Sequence, residues 1–215
     1  MIINWFGQSC FKIQGDKSVL ITDPLAKDCG LKLPRLSADV VSFNSPQTDS
    51  LADIKGIAEP QAFIVSQPGE YEIKNIIIQG INAPSSETEK SENHANIIYR
   101  FEIDGIKIAH LGNLNHSLIN GEVEKLEGLD ILMIPVGGGF GLNARQATET
   151  ISQLEPRIVI PMSYQIPGLK LKSKIDGIEV FCKEIGVCPK EEIAKFKITK
   201  KDLPQNDLQV VILQP

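Results

Sequence analysis

A chain of 215 residues and 23.6 kDa fits one large domain or at most two small ones. With 42% hydrophobic and 23% charged residues it can bury an ordinary core, which excludes a disordered chain. The formal net charge of −5, from 22 basic and 27 acidic residues, argues against a general phosphate-backbone binder.

Strand signals dominate the first hundred residues. Ile2 to Phe6, Cys10 to Gln14, Val19 to Thr22 and Val40 to Asn44 are short β-branched or aromatic runs separated by Gly, Asp and Pro. Further runs are Ala62 to Ser66, Tyr71 to Ile73, Ile76 to Ile81, Asn96 to Ile103 and Ile106 to Leu111. Gly15-Asp16 and Asp104-Gly105 are expected to be tight hairpin turns, because such pairs adopt positive φ angles. A helix is expected at Ser50 to Ile57. The polar stretch from Ser85 to Asn93 has no apolar periodicity and reads as an exposed loop.

The second half changes rhythm. A helix at Gly121 to Leu126 precedes a β-α-β unit made of strand Leu129 to Ile134, helix Ala144 to Leu154 and strand Arg157 to Ile160. The helix carries an apolar stripe at Ala144, Ala147, Ile151 and Leu154, with Asn143 and Gln146 spaced as a capping box. Strands are expected at Val180 to Lys183, Phe196 to Thr199 and Leu208 to Leu213. With no internal repeat and no linker, residues 1–215 are expected to form a single domain. Two sheets packed face to face with helices outside suit this order.

No apolar run approaches the ~18 residues of a membrane span, and Met1-Ile2-Ile3-Asn4-Trp5 has no basic and then apolar leader, so a cytoplasmic protein is expected. Cys10, Cys29, Cys182 and Cys188 form no CxxC pair. Cys182 and Cys188 read as two reduced thiols near strand ends, or less simply as a soft-metal chelate. Residues 170–201 hold nine lysines and five acids, a local charge of +4. Without arginine or aromatic platforms this segment reads as a solvated face, and nucleic acid is not an expected partner.

Several phrases, taken in order, resemble the metallo-β-lactamase superfamily and within it the lactonase-like branch. They are Gly7-Gln8-Ser9-Cys10-Phe11-Lys12-Ile13, Leu20-Ile21-Thr22-Asp23-Pro24, Pro68-Gly69-Glu70-Tyr71-Glu72-Ile73 and Ile97 through Gly105. Ala109-His110-Leu111-Gly112-Asn113-Leu114, Leu132 through Gly138 and Ile158 through Tyr164 extend the match to about residue 165. The resemblance implies an α/β (α+β) protein with the αββα four-layer sandwich of that fold. It also implies a hydrolase whose metal pair sits in a His-x-His-x-Asp-His loop, with a further His, a bridging Asp and a final His.

Mapped onto this chain, those seven positions are Ser45, Gln47, Asp49, Ser50, Ser85, Asn113 and Ser163. Only Asp49 keeps a metal-binding side chain. Hydroxyls and primary amides are weak ligands for zinc and transition metals, so the resemblance implies a cleft whose metal centre is lost. The expected protein is a non-catalytic binder or structural pseudo-hydrolase without cofactor, with a small polar ligand or a protein as partner. The alternative is a metal-dependent hydrolase of lactonase or phosphoesterase type with an unrecognised residual site.

Three other chemistries are weaker. His94, His110 and His116 match no local chelate, and His110 falls where the family has a non-ligand histidine. Gly137-Gly138-Gly139-Phe140-Gly141 sits where a phosphate cradle would, but lacks a P-loop ending and reads as a flexible turn. Ser45, Ser50, Ser85 and Ser163 with His110 or His116 suggest a serine nucleophile, but no Gly-x-Ser-x-Gly elbow accompanies them.

Overall fold

The computed structural model describes residues 1–26, 28–45, 62–83 and 96–215. The expected helix at Ser50 to Ile57, the loop Ser85 to Asn93, and the residues Gln47, Asp49, Ser50, Ser85 and His94 lie outside the described residues.

The chain first lays down β1 (Ile2–Trp5), β2 (Phe11–Gln14), β3 (Val19–Thr22), β4 (Val40–Ser42) and β5 (Phe63–Val65). It continues with β6 (Gly69–Ile73), β7 (Ile76–Asn82), β8 (Ile97–Ile103) and β9 (Ile106–His110). Then come α1 (Asn120–Lys125), β10 (Ile131–Pro135), α2 (Ala144–Leu154), β11 (Ile158–Met162), α3 (Ile178–Ile185), β12 (Phe196–Lys197) and β13 (Gln209–Val210). One sheet has six strands in the order β12-β1-β2-β3-β4-β5, and the other has seven in the order β13-β11-β10-β9-β8-β7-β6. Both are mixed: β1-β2-β3 and β6-β7-β8-β9 run antiparallel, whereas β3-β4-β5 and β9-β10-β11-β13 run parallel.

Burial follows that division. β6, on the edge, alternates half-buried and exposed positions, whereas every residue of β10 and β11 is buried. Parallel strands reached by helical crossovers are covered on both faces, which is why Ile131 to Pro135 and Ile158 to Met162 read as continuous apolar runs. The two sheets share one core, with Trp5, Phe11, Tyr99, Phe101 and Phe181 among its largest side chains.

Helix α2 forms as its sequence dictates. The Gln146 N–H donates to the Asn143 side chain at 3.0 Å and the Asn143 N–H to the Gln146 side chain at 3.1 Å, the reciprocal capping box. Asp104 and Gly105 have φ of 53° and 73°, as the expected tight turn requires. Gly15 and Asp16 do not have positive φ: their loop closes through Gly15 N–H donating to Ser18 C=O, a wider turn. A further positive-φ turn is Lys74-Asn75, between β6 and β7, at φ of 47° and 66°.

The C-terminal third departs from expectation most. Val180 to Lys183 lies within helix α3, because Ile178, Phe181, Cys182 and Ile185 recur at helical spacing and Gly186 ends the helix in a left-handed cap at φ of 75°. That cap turns the chain back, and Cys182 and Cys188 are joined in a disulfide rather than being two reduced thiols near strand ends. The run Leu169-Lys170-Leu171-Lys172 is irregular, burying Leu169 and exposing Leu171. No helix among the described residues is long and apolar enough to cross a membrane.

Candidate functional site

The ends of β1, β3, β4, β9 and β11 meet at one end of the sandwich, where the two sheets are knitted together by polar contacts. Asn44, just past β4, is the centre of this clasp. Its backbone C=O accepts from the Ile97 N–H at 2.7 Å, and its side-chain amide donates to the carbonyls of Ile97 and His110. Gly112 follows β9 at a φ of +61°, and a Cβ there would stand 2.4 Å from Asn96 Oδ1 and 2.6 Å from Asn44 Cβ. Only glycine allows that approach. Asn96 completes the corner, donating to the Leu111 carbonyl and accepting the Asn113 N–H, both at 2.9 Å.

Ser9 joins this corner to the rest of the site. Its carbonyl accepts from the Thr22 hydroxyl at 2.8 Å and from His110 Nε2 at 2.9 Å. His110 Nδ1 in turn accepts the Gly112 N–H at 3.3 Å, so the imidazole is neutral with its proton on Nε2 and both nitrogens engaged. Burial pushes His110 down to about 4, against two backbone hydrogen bonds that favour the charged form. His110 is therefore a structural pin, packed edge-on against Phe11, and is not a base for a serine.

Asp23 follows β3 with φ of 35°. One carboxyl oxygen accepts the Asn44 N–H at 2.7 Å, while Oδ2 is buried without a partner. Burial pushes this carboxyl up to about 7, although the Asn44 N–H and the Ser9 hydroxyl pull it down. Across the site, the Ser163 N–H donates to the Gln8 carbonyl at 3.2 Å. The same carbonyl accepts from the Trp5 indole at 2.8 Å, and Trp5 packs on Tyr164 with ring centroids 4.9 Å apart. This aromatic pair fixes both loops. Gln8 and Ser163 adopt φ of 51° and 54°, and Gln8 Nε2 and Ser163 Oγ are buried without partners.

Of the seven family positions, Ser45, Asn113 and Ser163 are described, and all three lie at this end. Ser45 and Asn113 each adjoin a member of the Asn44–Gly112 contact; Ser45 is half-buried and the Asn113 side chain exposed. Ser163 reaches them through Gln8, Ser9 and His110. Asn44, Asn96 and Asp23 carry no local sequence signal of a site role, although Asp23 lies within Thr22-Asp23-Pro24.

Among the described residues, the donors at this end do not suit a dinuclear metal centre. The described positions offer two hydroxyls and an amide, both nitrogens of His110 are engaged, and no three His, Cys, Asp or Glu side chains among the described residues could hold an ion. His116 lies apart, its Nε2 donating to both oxygens of the buried Glu122 carboxylate at 3.3 Å.

The glycine run Gly137 to Gly141 is a hydrogen-bonded turn and no phosphate cradle. Gly138 N–H donates to Leu142 C=O and Gly141 N–H to Gly138 C=O, so these amides face their own loop. Gly137 is required because a Cβ would meet the Ser163 carbonyl at 2.4 Å.

Comparison with known proteins agrees with this architecture. A relative in Thermococcus onnurineus, named a UPF0173 metal-dependent hydrolase, is 26% identical over 193 residues, covering 75% of this chain and 84% of its own. A relative of the same name in Thermococcus kodakarensis is 25% identical over 190 residues with the same coverage. A crystal structure from Thermotoga maritima, described as a candidate Zn-dependent hydrolase of the metallo-β-lactamase superfamily, superposes with a TM-score of 0.76. It is 26% identical and covers 99% of both chains. The family model described as "Beta-lactamase superfamily domain" matches residues 2–163, and with the two mixed sheets this places the chain in the metallo-β-lactamase superfamily.

Proposed function

We propose that this chain, folded as a single domain, keeps the cleft of its superfamily but uses it to hold a small polar ligand, without the family's metal-activated water. The neutral side chains at Ser45, Asn113 and Ser163 carry this reading. A metal pair needs imidazole and carboxylate ligands to offset its charge, and these groups offer neither. Gln47, Asp49, Ser50 and Ser85 are proposed as the remaining walls of the same cleft.

A metal-dependent hydrolase is the second reading, and the names of the Thermococcus and Thermotoga proteins favour it. Elemental analysis of the purified protein, before and after dialysis against zinc and manganese, separates the two. Below ~0.1 ion per chain is expected. About one ion per chain retained through dialysis, together with turnover on lactone or phosphodiester panels that EDTA abolishes, would establish the hydrolase instead.

A further inference from the structure

Seven non-glycine residues among those described have positive φ. Four of them, Lys74, Asn75, Asp104 and Glu155, are explained by two hairpin turns and a helix cap. The other three are Gln8, Asp23 and Ser163, and each also carries a buried polar side-chain atom without a partner: Nε2, Oδ2 and Oγ. Asn44, whose N–H binds Asp23, has a fourth such atom in Oδ1. An orphaned buried polar atom costs about 1–3 kcal/mol, and a left-handed non-glycine residue adds a cost of order 1 kcal/mol. Both penalties coincide at three residues on three strand-end loops, and those loops are held rigid by the Trp5–Tyr164 pair and the Asn44 clasp.

We infer that Gln8, Asp23, Asn44 and Ser163 form the recognition set for an uncharged ligand that carries both hydrogen-bond donors and acceptors, such as a primary amide or a polyol. This rests on the ligand-binding reading above and names the class of ligand. Gln8 Nε2 can only donate, Asn44 Oδ1 can only accept, and the Ser163 hydroxyl does either. None of the four is cationic, so a phosphate or carboxylate ligand would be desolvated without a counter-charge and would face the Asp23 carboxyl. A cation would lose the Gln8 amide as a partner and gain at most one carboxyl.

The full chain, labelled with ¹⁵N, is titrated with acetamide, and separately with acetate and inorganic phosphate, while the side-chain amide signals of Gln8 and Asn44 are followed. Acetamide should shift both signals saturably, and the two anions should leave them in place at equal concentration. Gln8→Glu and Ser163→Ala should each weaken acetamide about tenfold while retaining the parent fold by circular dichroism, as expected for losing one hydrogen bond in a dry site. Saturable binding of an anion in place of acetamide would overturn the inference. So would acetamide binding unchanged in both variants, or no saturable shift at all. Metal content measured on the same sample separates the failures: a metal-free protein that ignores acetamide refutes only the ligand class, whereas retained zinc refutes the ligand-binding reading itself.

Discussion

Asp23 and His110 sit on either side of Ser9, and burial moves them in opposite directions. The Asp23 carboxyl, raised from 3.8 to about 7, stabilises the fold below its ordinary value and loses that contribution as pH rises through 7. His110, lowered from 6.5 to about 4, stabilises the fold above 6.5 and loses that contribution as pH falls through 4. Within this window the native state holds a proton on Asp23 that the unfolded chain releases. The unfolded chain meanwhile binds one on His110 that the native state refuses. The two slopes oppose each other. Asp23→Asn removes the first alone, so the Tm of the variant minus that of the parent should grow from pH 4 to pH 7. A difference that is flat with pH, in melts over this range, would mean that Asp23 is ionised in the folded protein.

Gly112 is the second residue on which the site depends. Gly112→Ala places a methyl within contact of Asn96 and Asn44 at a φ of +61°, so both sterics and backbone oppose it. A loss of about 2–3 kcal/mol in urea unfolding is expected. The damage should be local to the clasp, read as faster amide exchange at Ile97 and Asn113.

At the scale of elements, α3 owes its end to Gly186 and to the Cys182–Cys188 bond that ties the helix to the following turn. Closing so short a loop stabilises by about 2 kcal/mol in the chain-entropy account. A reducing agent should lower the Tm by several degrees, and a Cys182→Ser, Cys188→Ser double variant should show the same Tm with or without it. Elements with a strong period were legible in the chain itself. The apolar stripe and capping box of α2 gave its 11-residue span, and the strands through residue 111 all form. Val180 to Lys183 misled because Val-Phe-Cys is also a strand-like run, and the deciding positions, Ile178 and Ile185, lie outside it. The candidate site was legible only as a set of substitutions against a family pattern. Asn44, Asn96 and Asp23 act through contacts between loops far apart in sequence, 66 residues in the case of Asn44 and His110, and no local period announces such pairs.

The whole molecule offers a test of how well the resemblance is registered. Replacing Ser45, Gln47, Ser50, Ser85 and Ser163 with His and Asn113 with Asp supplies the family's complete ligand set around Asp49. Zinc should then bind more tightly than ~1 μM, followed by calorimetry. Failure in a folded variant would place the cleft walls elsewhere. Each described position lies just beyond a parallel strand, β4, β9 or β11, where open α/β sheets generally place their ligands.

The pairing of β1 with β12 joins Ile2 to Lys197 and Ile3 to Phe196. During synthesis β1 emerges long before β12, so β1 presents an open edge until that partner is made. That edge carries two isoleucines, the kind of surface on which nascent chains stick to one another. Its eventual cover is only two residues long and bears Lys197, a charged strand that closes the sheet without inviting another chain to extend it. Stalled or truncated products ending before residue 196 should therefore aggregate where a chain that includes β12 does not.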